Sequence, residues 1–537
     1  MKKFLAASAI SLLAVIATAC SDSEESMGGH DMSNMNHDTQ QEASNDQETK
    51  SDGQSLPNTI KTAVKTGNGF TITAKEAVNQ FNSKTSLPVW TFDGSVPGSQ
   101  IRVKEGEKVK VNLKNELSEP VTIHWHGVPV PNDQDGIPGV TMNAVQPGET
   151  FTYEFVASVP GTYWYHSHQD SVNQIDKGLY GTFIVEAKEE NVDKDYTLVL
   201  DEWISSSEET MEGMDHDMEG MDHSSMGSSS EENGMEDMNH SNMNMQGHDM
   251  TMYDLYTING KSGESTEALK VSKGDKVKIR LVNAGYMSHK IHLHGHDFKI
   301  TSTDGQPIQN PAEIKDQLVT IAPGERYDLE FTADNPGTWF IESHDENEAA
   351  KNMAAKIVYD GTQAGNDKQN YQDKLPEVDV TAYGKNSNGL FSLQQKYDVE
   401  YTMDLGTAMN DQGMVYTING KTFPDTEPLN VKKDDLIKVT LKNTSPMDDH
   451  PMHLHGHFFQ VLSKNGQPIQ GSPLMKDTLN LKPGEEYVVA FKADNPGNWM
   501  FHCHDLHHAS AGMVTELKYT DYQSDFIPDP NANNMPE

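Results

Sequence analysis

The sequence predicts an all-β protein made of three consecutive Greek-key β-sandwich domains. Three observations carry that expectation. First, one unit is used three times: "VQPGETFTYEFVASVPGTYWYHSH", "IAPGERYDLEFTADNPGTWFIESHD" and "LKPGEEYVVAFKADNPGNWMFHCHD" match one another, and upstream of them lie "VTIHWHG", "HKIHLHGHDF" and "HPMHLHGHFF". Second, "KVKVNLKN", "KVKIRLVN" and "LIKVTLKN" alternate apolar and polar residues, the period of a half-buried strand. Third, Pro-Gly and Asn-Pro-Gly turns recur at short intervals and no long helical period appears. The repeat places the domains at 58–188, 189–362 and 375–521, with a tail over 522–537.

The chain opens with "MKKFLAASAISLLAVIATAC". Lys2 and Lys3 precede an apolar run, Phe4 to Ile16, too short for a membrane span, and small residues precede Cys20. This reads as a lipoprotein signal peptide over 1–19, although Ala17 stands where such signals usually carry Leu. Cys20 would then be the lipidated first residue of a mature protein held outside the cytoplasm on a bacterial cell membrane, and Cys503 would be its only thiol. Residues 20–57 are polar, with almost no large apolar groups, and read as a disordered tether. A net charge of −40 excludes a nucleic-acid partner, because nothing would neutralise phosphates.

Four His-x-His pairs stand out: His124/His126, His166/His168, His453/His455 and His502/His504. On a strand, residues i and i+2 share a face, so each pair presents two imidazoles to one side. Imidazole suits copper, zinc, iron and nickel alike. Cys503 lies between two of these histidines and points the other way, so one strand can serve two metal sites. His450 lies upstream on the partner strand, and His508 and Met513 follow at a spacing that a turn can bring back to the sulfur. Two His, one Cys and a weak Met make the ligand set of a blue-copper electron-transfer site.

In the middle unit Ser343 replaces the cysteine and Glu342 and Glu348 replace histidines, while His292, His294 and Met353 remain, so it cannot be a blue site. His507 reads as a solvated neighbour of His508, and His457 as structural. The segment 205–252 is a low-complexity insertion holding 11 of the 27 methionines and four histidines. Its Met211, Met214, Met218, Met221, Met235, Met238, Met243 and Met245 are candidate Cu(I)-capture ligands, since thioethers are soft.

"HWHG", "YHSH", "HPMHLHG" and "HCHDLHHASAGM" resemble the four copper-binding signatures of the multicopper oxidases, over residues 58–521. The resemblance implies three cupredoxin-like domains and four copper ions per chain. It implies a type 1 copper held by His450, Cys503, His508 and Met513. It implies a type 2 copper at His124 and His453, and two type 3 coppers at His126, His166, His168, His455, His502 and His504. Asp135, in "DQDGIPG", matches an acidic position that assists proton delivery, whereas the second carboxylate of bacterial members is Ala509 here. The implied activity is reduction of O2 to water by one-electron oxidation of a donor, with Cu(I) expected as donor and copper tolerance as the role. A small phenol, as in laccases, is the alternative donor; a non-enzymatic copper-sequestering protein is the other reading. A monomer is expected, with the lipid anchor as its only membrane contact.

Overall fold

The computed structural model describes residues 55–205, 252–361, 374–411 and 413–536. The signal peptide, Cys20, the tether up to residue 54 and the insertion from 206 to 251, with its eight candidate methionines, lie outside the described residues.

Six sheets form three face-to-face pairs. In the first pair the strands run Ser86–Phe92, Gly69–Gln80, Lys108–Asn115, Thr150–Val156 in one sheet and Val64–Thr66, Gly98–Lys104, Tyr180–Glu186, Gly161–His166 in the other. Neighbours are non-consecutive in the chain, as Greek-key crossovers require. The middle and last pairs repeat one strand order. Leu269–Val271, Ala354–Tyr359, Thr338–Ser343, His289–Leu293 and Val319–Ile321 correspond in turn to Leu429–Val431, Val514–Tyr519, Asn498–Cys503, His450–Leu454 and Thr478–Leu481.

Alternation builds the cores. Val109, Val111 and Leu113 of the first domain, Val277, Ile279 and Leu281 of the second, and Ile437, Val439 and Leu441 of the third are all buried, at equivalent places in equivalent strands. The intervening lysines of these strands are exposed or half-buried. Each such side chain contributes roughly 1.5–3 kcal/mol of transfer free energy.

Helices are few and short among the described residues. One, Leu506–Ser510, interrupts the chain directly after Asn498–Cys503. Asp505 caps it, its carboxylate accepting from the His507 and His508 backbone N–H groups. The turn therefore returns the chain at a fixed angle towards the strand it has just left. No described helix is long and apolar enough to cross a membrane.

Candidate metal centre

Two antiparallel strands organise the site. His450–Leu454 pairs with Asn498–Cys503 in a register that sets Met452 opposite Cys503 and His453 opposite His502. Side chains alternate across the sheet, so His450, Met452 and Cys503 share one face, and His453, His455, His502 and His504 share the other. The short register thereby separates two sites and joins them through a single residue.

On the first face, Cys503 is fully buried, with Sγ 3.8 Å from His450 Nδ1 and 3.7 Å from His508 Nδ1. The two Nδ1 atoms are 3.2 Å apart. Ser445 Oγ lies 2.8 Å from His450 Nε2 and Asp505 Oδ2 3.3 Å from His508 Nε2, so each ring is anchored by its far nitrogen and turns Nδ1 to the sulfur. Tyr416 stacks on the His508 ring with centroids 3.8 Å apart. Met513 is buried in the same core cluster as Cys503; its carbonyl accepts from the Cys503 N–H at 3.0 Å, and its N–H donates to the His508 carbonyl at 2.9 Å. Burial and the neighbouring His508 hold the His450 imidazole down at about 3, so it is neutral and competent to donate a lone pair.

On the other face the eight paired histidines converge, four from the first domain and four from the third. His124 and His166 form an isolated backbone bridge that fixes the first-domain pairs. Potential ligand atoms group as His126, His166, His504 and as His168, His455, His502. These are the six positions expected for the type 3 pair, divided into two sets of three. His455 Nε2 and His502 Nε2 are 3.0 Å apart. His124, stacked on His455 at 4.0 Å, and His453, stacked on His126 at 3.7 Å, form a further set with His126 and are the expected type 2 pair. Burial foremost, and the mutual repulsion of their charged forms, push His126, His166, His455, His502 and His504 well below the usual histidine range.

The residues fit copper. His124 Nε2, His126 Nδ1, His166 Nε2, His453 Nε2 and both nitrogens of His504 are buried without a hydrogen-bond partner among the described residues. Buried polar atoms are normally satisfied, and so many unsatisfied lone pairs in one cluster call for a cation. An imidazole cluster beside a thiolate with two imidazoles is a copper donor set.

Carboxylates hold the rings. Asp135 Oδ2 lies 2.9 Å from His455 Nδ1, and its Oδ1 lies 3.2 Å and its carbonyl 2.9 Å from His124 Nδ1. It thus clamps a first-domain ring to a third-domain ring. Sequence reasoning missed the second carboxylate. Asp477 Oδ1 is 3.2 Å from His126 Nε2 and 3.5 Å from His453 Nδ1, and Thr478 Oγ1 lies 3.1 Å from both nitrogens. Arg326 of the middle domain grips Asp477 with two bonds, of 2.7 and 2.6 Å, and all three residues are fully buried or nearly so. Burial alone would raise the Asp477 carboxyl, but the guanidinium and the His453 ring hold it well below the usual carboxylate range. Gly127 makes room: its φ is +81°, and a Cβ there would sit 2.3 Å from the Arg326 guanidinium and 2.4 Å from Asp477 Oδ2.

His507 is corrected: it is buried, not solvated, with Nε2 3.3 Å from Tyr253 Oη and its ring against Tyr286. His457 is structural, bonded to the His455 carbonyl and to Tyr519 Oη. The tail also reaches the site. Met535 exchanges bonds with Asp170 and Gln169, Asn534 caps the Ala144 N–H, and the Pro536 carbonyl accepts from His168 Nδ1 at 2.5 Å. Nothing in the polar, repeat-free sequence 522–537 signals this; the role rests on a carbonyl, which every residue has.

Two family models, both described as multicopper oxidase, match residues 73–190 and residues 231–363 and 392–523. The multicopper oxidase MmcO of Mycobacterium tuberculosis is 32% identical over 80% of this chain and 82% of that protein. Laccase-1 of Botryotinia fuckeliana is 28% identical over 82% and 80%, and copper resistance protein A of Escherichia coli 23% identical over 84% and 92%. Among solved structures, a multi-copper oxidase from Pseudomonas thermotolerans superposes with a TM-score of 0.61 at 25% identity, covering 85% of this chain and all of that one.

The tail contact yields a test. Deleting residues 529–537 touches none of the sandwich strands but removes the Pro536 carbonyl from His168 Nδ1. Affinity for copper at the histidine cluster should fall by about 10–100-fold, the usual cost of removing a partner that orients a ligand. Elemental analysis after dialysis against graded chelator checks this, with far-ultraviolet circular dichroism as the control for folding.

Proposed function

The chain belongs to the multicopper oxidase family, which makes it a copper-dependent oxidoreductase with O2 as acceptor, and we propose that its donor is Cu(I), oxidised to Cu(II) outside the cytoplasm in the service of copper tolerance. Four coppers are assigned per chain. His450, Cys503, His508 and Met513 would hold the type 1 ion, His124 and His453 the type 2 ion, and the two sets of three histidines the type 3 pair. Bound copper supplies the redox chemistry, one-electron oxidation of the donor at the Cys503 site and four-electron reduction of O2 at the histidine cluster.

The protein's own groups do the rest. Cys503 is one peptide bond from His502 and one from His504, so a continuous covalent path links donor site and cluster. Ser445 and Asp505 hold His450 and His508 by their outer nitrogens, keeping the donor-site geometry fixed between oxidation states. Asp135, touching one ring of each half, is the carboxylate placed to pass protons into the cluster. Asp477, kept ionised by Arg326, acts as an acceptor that fixes the proton on His453 Nδ1 and leaves Nε2 for the metal.

One observation carries the cuprous reading. The two ends of the methionine-rich insertion are pinned together and against the donor site. Ser205 donates to Asp254 through both its backbone N–H, at 2.7 Å, and its hydroxyl, at 2.6 Å. Tyr253, next in the chain, meets His507 in the helix that carries His508. A ligand-dense segment anchored there raises the local concentration of Cu(I) beside the electron entry point. Exposed Met447, followed by Asp448 and Asp449, directly precedes His450 in the chain and adds soft and hard donors next to a donor-site residue. The similarity to copper resistance protein A supports this reading, and that to a laccase keeps a phenol as the alternative donor. Pure sequestration is disfavoured, since no ligand of the cluster is missing.

Three experiments test the proposal. Cys503→Ser should abolish the blue colour and the oxidase activity while copper at the all-histidine cluster is retained; a protein that stays blue would refute the type 1 assignment. Deleting residues 210–252 should reduce Cu(I) oxidation severely at low free copper, whereas phenol oxidation, followed by O2 uptake, should persist or rise. Equal loss of both would mean a structural role for the segment, and loss of neither a mere spacer. For the anchor, the full chain expressed in a bacterial host should partition with membranes, and Cys20→Ala should release it or block its processing without loss of specific activity.

A further inference from the structure

The middle domain keeps half of what the third domain has. Its strands His289–Leu293 and Thr338–Ser343 pair in the register of the metal-bearing strands, with His292 opposite Glu342 as His453 is opposite His502. The counterpart of the thiolate site has been dismantled. Ser343 stands in the place of Cys503 and gives its hydroxyl to Asp345 at 2.7 Å. His289, in the place of His450, spends both ring nitrogens, on Asp345 Oδ2 at 2.8 Å and Glu202 Oε2 at 3.1 Å. Glu348, in the place of His508, is tied to Lys351. Ser343, His289 and Glu348 are thus each engaged with a protein partner.

The other face keeps three of its four imidazoles. His292, His294 and His344 bring ligand atoms within 4.8 Å of one another. His294 Nε2 and His344 Nε2 are 3.2 Å apart, and Glu342 Oε1 is 2.9 Å from the first and 3.9 Å from the second. Ligands on zinc bonds of about 2.0–2.1 Å in a tetrahedron stand roughly 3.3 Å from each other, so these spacings suit one shared ion. His292 is only 4% exposed, and neither of its nitrogens has a hydrogen-bond partner among the described residues. Leaving a buried polar group so costs about 1–3 kcal/mol, a cost a metal bond would remove. Burial and the two neighbouring imidazoles keep His292 uncharged, with its pKa near 3, the state in which it can donate. His294 and His344 are partly exposed, which gives an ion a way in.

We propose that His292, His294 and His344, with Glu342 as fourth ligand, form a mononuclear site in the middle domain for a divalent, imidazole-preferring cation such as zinc or copper(II). Among the described residues no second set of histidine pairs faces it, and three imidazoles with a carboxylate lack the thiolate needed for a blue centre. The site is independent of the identity of the donor substrate.

Copper-loaded full-length protein is equilibrated with Zn(II), dialysed against graded chelator and analysed for both metals. The wild type should retain one more metal ion per chain, zinc and copper counted together, than His292→Ala or His294→Ala, and Glu342→Gln should weaken retention of that ion at least ten-fold. The insertion's histidines are present in every variant and contribute equally. The blue colour should be unchanged, and if a histidine variant loses it as well, Glu342→Gln alone decides. Equal total metal stoichiometry and affinity in the wild type and all three variants would overturn the proposal.

Discussion

The pairing of His450–Leu454 with Asn498–Cys503 is the constraint from which the remainder follows. Strand alternation sends the sulfur and the flanking imidazoles to opposite faces, so one segment belongs to two sites at once. The donor site can then sit inside the third domain's own core, among the apolar residues that pack around Cys503 and Met513. The cluster, by contrast, faces outward from that domain and is completed only when the first domain brings its own two pairs against it. The capped turn at Asp505 matters for the same reason: it returns His508 to the sulfur within five residues. A one-residue slip in the pairing would exchange the two faces and lose both sites together.

Much of this was legible in the chain. The triple repeat, the alternation in "KVKVNLKN" and its copies, and the His-x-His pairs each follow from local periodicity, and periodicity is visible in sequence. The division of the ligands into a thiolate site and a histidine cluster was legible too, because it depends on odd and even positions alone. Asp477 and Thr478 were not. Asp477 is the bend residue before, and Thr478 the first residue of, a short strand with no distinctive spacing, and they matter only because Thr478–Leu481 pairs with His450–Leu454 and brings them beneath His126 and His453. Arg326 was equally hidden, since its partner is 151 residues away in the chain. His507 was misread because the histidine beside it held the obvious role; its burial comes from Tyr253 and Tyr286, which belong to another domain. The tail's contact with His168 runs through a main-chain carbonyl and has no side-chain signature at all.

The middle domain illustrates how unevenly a duplicated site can change. At the place of the thiolate, a serine, a carboxylate pair and one histidine have closed into a self-sufficient hydrogen-bonded group that gains nothing from a metal. Across the same sheet, only one of the four imidazole positions carries a carboxylate instead, and the geometry of the remainder is intact. The two faces of a strand answer to different neighbours, so they can drift independently.

Arg326 has a consequence for the architecture as a whole. The described residues of the middle domain give no histidine to the cluster, yet its guanidinium is the counter-ion that permits Asp477 to remain an anion in a dry interior, at a distance that only a glycine at position 127 allows. Taking a charge out of water without a partner costs several kcal/mol. The three repeats are therefore not interchangeable modules. A recombinant that joined the first domain directly to the third would keep every candidate copper ligand and still strand an uncompensated charge beneath two of them. The central repeat is a strut, and the freedom of its own metal-site residues to change has been compatible with its retention because its structural duty rests on a different residue.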